Sequence, residues 1–173
     1  MMKNIVLVLV VLVFASCNCN EKPAEQVSMI AEKEQINNLL ETWHLSAAEA
    51  NFESYFNAMS SESVFVGTDA AEVWNIQQFK DFSKPYFVKG NAWSFSAVKR
   101  NIYLDSEGKI AWFDELLDTW MGVCRGSGVL KKKDGVWKIE HYVLSLTVPN
   151  DNIQDVIQIN KEKDSLFLIH QKK

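Results

Sequence analysis

A few polar side chains stand inside otherwise apolar stretches of this chain, and they are where chemistry would have to come from. In Val136 to Val148, Lys138 and Glu140 alternate with Trp137, Ile139, His141, Val143 and Ser145. If the charged pair faces water, the two-residue period of a strand turns the other set, His141 and Ser145 included, towards the interior. A histidine titrates nearest neutrality and suits general-base work there, while the plainer reading is a core or rim histidine bonded to a neighbour. Arg125 is in phase with Ser127 and Val129 on the preceding stretch and points the same way. An arginine in an apolar cavity needs a partner: Glu72, Asp114 or Asp118 in a structural ion pair, or a ligand carboxylate gripped bidentately. Asp114 and Asp118 share a face with Trp112 and Trp120, and Glu115 takes the other. Either face is apolar enough to be the inner one, so Asp114 is a second proton-transfer candidate. No metal is expected, because one histidine beside two acids is no ligand set. Of six tryptophans, Trp43, Trp74 and Trp120 are the candidates for lining a cavity suited to a flat apolar ligand.

The elements that must position these groups follow from periodicity. From Ser28, a plausible N-cap, Met29, Ile30, Ile36, Leu39, Leu40, Trp43, Ala47 and Ala50 recur every three or four residues and predict a long helix. A short helix follows Asn51 and stops at Ser60 and Ser61, and Val64 to Gly67 is a brief strand. Asn75 with Gln78 forms a capping box for a third helix that Pro85 limits. After Gly90 the period becomes two: 92–104, 109–121, 123–133 and 136–148 read as strands joined by short turns, of which Asp134-Gly135 suits a type I′ hairpin. Gly126 and Gly128 fall within a strand and read as close-packing or bulge positions, not a phosphate loop. Three helices followed by four long antiparallel strands make an α+β domain with helices on one face of a bent sheet. Residues beyond Asn150 predict a terminal helix packed on the sheet edge.

The motifs Gly67-Thr68-Asp69 with Glu72 and Trp74, Ala111-Trp112-Phe113-Asp114-Glu115, Cys124 to Leu130, and Trp137 to Asp151 resemble the SnoaL-like branch of the nuclear transport factor 2 superfamily over about residues 30–151. The resemblance implies an NTF2-like cone, frequent homodimers, and a pocket between the long helix and the concave sheet. That superfamily holds isomerases, cyclases, dehydratases and proteins without activity, so the fold transfers and the reaction does not. Its ketosteroid isomerases use an Asp base with a Tyr and a protonated Asp. Here the long helix offers Trp43 and His44 where that Tyr would stand, a departure from the isomerase pattern.

With 173 residues, 47% apolar and 23% charged, the chain holds one packed domain plus short extras, and a net charge of -4 excludes a field that gathers nucleic acid. Lys3 followed by the apolar run Ile5 to Phe14 reads as an export signal, too short to span a membrane. Phe14-Ala15-Ser16-Cys17 resembles a bacterial lipobox, which implies lipidation of Cys17 and a membrane anchor facing the periplasm or the cell surface. An ordinary secretory signal cut nearby is the other reading. The expected organisation is a signal at 1–16, a tether at 17–27, the SnoaL-like domain at 28–149 and a C-terminal extension at 150–173. The leading expectation is an exported, lipid-anchored, homodimeric domain that binds a small apolar molecule through Arg125 and His141 and needs no cofactor. The alternatives are an isomerase, dehydratase or cyclase using His141 or Asp114, and an interaction module with a vestigial pocket.

Overall fold

The computed structural model describes residues 23–90 and 92–172, with side chains from residue 28. The signal at 1–16 and the lipidation candidate Cys17 lie outside the described residues. Helix α1 runs Pro23–Ala48, α2 Phe52–Asn57 and α3 Ile76–Val88. The strands are β1 Met59–Val66, β2 Val73–Asn75, β3 Ser96–Leu104, β4 Ile110–Thr119, β5 Gly122–Lys133 and β6 Val136–Leu146, and helix α4 spans Ile153–Gln171. Helix α1 begins five residues before Ser28 and takes in part of the expected tether. Proline is well suited to the first helical position, where its missing N–H has no intrahelical partner to lose. The Asn75–Gln78 capping box is present, but α3 continues through Pro85. Pro85 lies on the solvent side, so the carbonyl it deprives of a donor faces water, while Phe79, Ser83 and Phe87 hold the helix to the sheet.

The sheet has six strands in the order β2-β1-β6-β5-β4-β3, all antiparallel except β1 beside β6. Two strands thus come from the helical half, and β1 is twice the expected length because Met59, Ser63 and Phe65 all turn inward and are buried. At the β5–β6 hairpin Asp134 (φ 51°) and Gly135 (φ 81°) are both left-handed, as a type I′ turn requires. The core joins Ile36, Leu40, Trp43 and Ala47 of α1 to Phe113, Leu117, Leu130 and Ile139 of the sheet. Glu32 pins the far end of α1, accepting from Lys132 Nζ at 2.6 Å and Trp137 Nε1 at 2.7 Å.

One irregularity redirects β6. Leu130 pairs with Ile139 and Val129 with His141, so Glu140 is an extra residue, a bulge whose carboxylate accepts from Ser60 Oγ at 2.8 Å. Before the bulge Trp137 and Ile139 face inward; after it Tyr142 and Leu144 do, and His141, Val143 and Ser145 turn to the outer face. Helix α4 forms as expected but buries none of its residues, so it does not pack on the sheet edge. Its apolar groups, among them Ile153, Ile159, Leu166 and Ile169, lie all round the helix and offer no single stripe to bury.

Cys124 is a free thiol with no exposed surface, next to Thr119 Oγ1 at 3.5 Å. Its peptide should stay unlabelled when the native protein is pulsed with iodoacetamide and label fully in denaturant; rapid native labelling, read by mass spectrometry, would show that β5 is not packed as described.

Candidate functional site

The inner face of the sheet carries one buried carboxylate. Glu115 alternates with Phe113 and Leu117 on β4 and is 1% exposed. Its Oε1 accepts from His44 Nε2 at 2.9 Å and from Tyr142 Oη at 3.0 Å. Its Oε2 receives Arg100 Nε at 2.8 Å, with Nη2 of the same guanidinium also at 2.8 Å. Arg100 Nη1 continues to Asn37 Oδ1 at 2.8 Å and Glu41 Oε1 at 2.7 Å on α1. One acid therefore ties α1, β3, β4 and β6 together. Burial acts most strongly on Glu115 and by itself would raise its carboxyl, but bonding and charge from His44 and then Arg100 together hold it below the ordinary 4.5. Burial, with the Glu115 charge behind it, lifts the Tyr142 phenol well above its ordinary range, so the hydroxyl keeps its proton and donates. Gly126 makes room for this bond: a Cβ there would lie 2.2 Å from Tyr142 Oη and 2.8 Å from Glu115 Oε1. Gly128 does the same for Phe113, with a Cβ 2.7 Å from its ring.

A cavity of about 140 Å³ opens at the mouth beside this network. Its wall is built from Phe65, Trp74, Phe79, Trp93 and Phe95, with Phe82 and Trp120 at the rim and Thr68 and Glu72 from the β1–β2 loop. The rings brace one another: Phe65 and Phe79 stack at 4.0 Å, and Trp74 and Phe82 at 4.4 Å. The network supports this wall from behind, since the His44 ring lies 6.3 Å from Phe95 and the Tyr142 ring 5.4 Å from Phe65. Neither His44, Glu115 nor Tyr142 lines the cavity.

The candidates picked out by pattern divide between the two faces. Trp74 and Trp120 line the cavity; Trp43 is core, stacked on Tyr55 at 5.0 Å. His141, Asp114, Arg125 and Ser145 lie on the outer face. There Asp114 accepts from Asn101 Nδ2 at 3.0 Å, and Arg125 is exposed and paired in register with Ser145. The bulge at Glu140 is the physical reason for His141 and Ser145. For Asp114 and Arg125 the reason is that Glu115, Cys124 and Gly126, one residue out of phase with them, are the ones that face inward. Arg125 and His141 therefore do not meet in the cavity, and neither does Asp114. The residues missed were His44, Arg100, Glu115 and Tyr142. A legible signal existed: Glu115 is a lone acid on the face of Phe113 and Leu117, and His44 shares a helix face with Leu40 and Ala47.

The SnoaL-like domain profile matches residues 36–149. The chain belongs to the SnoaL-like family. Among solved structures it resembles an NTF2-like protein of unknown function from Pseudomonas putida KT2440, at 14% identity over 72% of this chain and 92% of that one, with a TM-score of 0.59. A candidate dehydratase of the NTF2-like family from Streptomyces avermitilis matches at 10% identity over 70% and 99%, TM-score 0.61. The CaMKII association domain of C. elegans matches at 19% over 69% and 98%, TM-score 0.56. At such identities the likeness establishes the NTF2-like fold alone. No curated protein matches the sequence. In this SnoaL-like chain the Glu115 network fills the inner face of the cone behind the hollow at its mouth.

Two outcomes follow for the network. Unfolded, Glu115 takes its ordinary value of 4.5; folded, it is lower, so its stabilisation is complete above 4.5 and drains away as pH falls through the folded value. The melting temperature of Glu115→Gln should accordingly fall less than that of the wild type between about pH 6 and pH 3, although the variant starts lower because Arg100 loses its buried partner, a loss of about 3–5 kcal/mol. Gly126→Ala should cost about 1–3 kcal/mol in denaturant titrations by forcing Tyr142 off Glu115, and Gly126→Ala in a Tyr142→Phe background should cost measurably less.

Proposed function

We propose that the protein is an exported, lipid-anchored SnoaL-like domain whose cone mouth binds a small, largely apolar group, and that binding rather than turnover is its role. The observation that carries this reading is the cavity itself, a braced aromatic hollow of about 140 Å³ open to solvent. A cavity of about 150 Å³ takes a guest the size of benzene, so the guest is that small or inserts one such group. Export and anchoring rest on Lys3, the Ile5 to Phe14 run and Cys17. Turnover has less support, because His141 and Asp114 sit on the outer face and the His44–Glu115 pair lies behind the wall. The likeness to a candidate dehydratase extends only to the fold.

A homodimer through the outer face of the sheet is the second part of the proposal. Tyr103 and Trp112 stack there at 5.8 Å and are 43% and 46% exposed, and exposed Val129 pairs beside Trp112. Exposed aromatic surface of this kind marks interaction sites, and one of the fold's relatives is an association domain.

Thermal denaturation of the full chain with phenol, indole and 3,3-dimethyl-1-butanol tests the cavity. A guest at roughly 100 times its Kd should add about 2.7 kcal/mol, a rise of about 5–10 °C for a domain of this size, and Trp74→Ala should abolish the rise. No shift with any of these compounds would defeat the binding reading. Sedimentation equilibrium tests the interface: the wild type should run as a dimer and Trp112→Lys as a monomer, and a wild-type monomer would reject it.

A further inference from the structure

The cavity has a charge character opposite to the one expected from Arg125. Its lining contains no lysine, arginine or histidine and one acid, Glu72, beside three tryptophans and four phenylalanines. Glu72 is held in the β1–β2 loop by its neighbours: Oε2 accepts from the Asp69 N–H at 3.2 Å, and a Cβ at Gly67 would lie 2.2 Å from that same oxygen. The glycine is what lets the carboxylate fold onto the loop backbone at the mouth. Glu72 Oε1 makes no hydrogen bond among the described residues. Across the mouth, Trp120 at the tip of the β4–β5 hairpin is 82% exposed, the most exposed large apolar side chain among the described residues, and stacks on no other ring there. An unstacked, exposed indole and a half-engaged carboxylate therefore line the same cavity.

Aromatic faces attract cations within about 6 Å of the ring centre, and desolvated tryptophan does so best. A carboxylate at the rim adds attraction for the same charge, and the net charge of -4 does not oppose it. A neutral apolar guest gains nothing from Glu72, and an anionic one is repelled. We infer that the cavity takes an alkylated ammonium group, such as a trimethylammonium head, with the indoles of Trp74, Trp93 and Trp120 around the methyl groups and Glu72 as counter-charge. The inference rests on the reading of the cavity as a ligand site and adds the charge of the guest. A trimethylammonium head is close in bulk to the benzene-sized guest that the volume allows. The arm attached to it leaves through the mouth, so free choline and the head group of a choline phospholipid present the same chemistry.

The test compares choline with 3,3-dimethyl-1-butanol, which has the same shape without the charge, by tryptophan fluorescence of the full chain. Choline should bind about tenfold more tightly than its neutral isostere, a difference of about 1.4 kcal/mol, and should weaken as salt is added. Glu72→Gln should remove that advantage and leave the neutral compound's affinity unchanged, and Trp120→Ala, at an exposed position, should weaken choline without lowering the melting temperature. Preferential association with phosphatidylcholine over phosphatidylglycerol vesicles would identify a lipid source, and binding of free choline with no such preference a soluble one; both support the assignment. Equal binding of the two isosteres, or undiminished choline binding by Glu72→Gln, overturns the cation assignment while leaving the cavity a ligand site. Binding of neither isostere overturns the cation assignment, and the cavity reading falls with it when phenol and indole also fail to bind.

Discussion

Everything in the interior is arranged around a single carboxylate that has been taken out of water. Glu115 sits on a strand face otherwise made of Phe113 and Leu117, and a bare charge there would be prohibitively costly. Its oxygens are therefore occupied by a histidine from the long helix, an arginine from the edge strand and a tyrosine from the strand two positions away in the sheet. Each partner imposes a demand of its own. The tyrosine needs Gly126 on the intervening strand, since any side chain there would occupy the space of its hydroxyl. It also needs to face inward at 142, which it does only because Glu140 is bulged out of register. The arginine carries the constraint on to Asn37 and Glu41, so the pitch of α1 against the sheet is set by the same acid.

This arrangement explains why the hollow of the cone lies at the mouth. The deep end is filled by Trp43, Tyr55 and Tyr142 packed about the ion network, with the Trp43 and Tyr142 rings 4.8 Å apart. What is left open is bounded by α3, by the β1–β2 loop, by Trp93 and Phe95 before β3, by the β4–β5 hairpin, and by Phe65 of β1, Trp74 of β2 and Leu144 of β6. The lining thus combines positions fixed on helix and strand with loop residues placed by that scaffold. The outer face of the sheet has a separate character. His141, Asp114 and Arg125 stand among exposed aliphatic and aromatic residues there, on an open surface and not in the pocket.

The elements were largely legible in the order of residues. The three-and-four spacing of Ile36, Leu40, Trp43 and Ala47, the Asn75–Gln78 capping box and the Asp134-Gly135 turn each report a local geometry that their own residues impose. The family motifs reported the cone. The site is less legible, because membership of a face on β6 follows a period of two, and one extra residue reverses every assignment beyond it. Trp74 and Trp120 are recognisable as cavity residues without that period. Ser145 and His141 depend on it, Asp114 on choosing between two faces of equal hydropathy, and Arg125 on the phase of β5, where Cys124 and Gly126 are the residues that face inward.

The chain's own residues determined that a long helix, a capped third helix and four long strands form, how the Asp134-Gly135 hairpin turns, and to which family the chain belongs, since these are consequences of short-range sterics, capping and hydrophobic period. Tertiary structure alone decided that Glu140 is squeezed out of the ladder, that Glu115 rather than Asp114 points inward, and that Glu72 is the charge at the mouth. A bulge is defined by the partner strand, an ion pair between β3 and β4 by register, and a pocket lining by loops remote in sequence. None of those relations is written into any window of neighbouring residues.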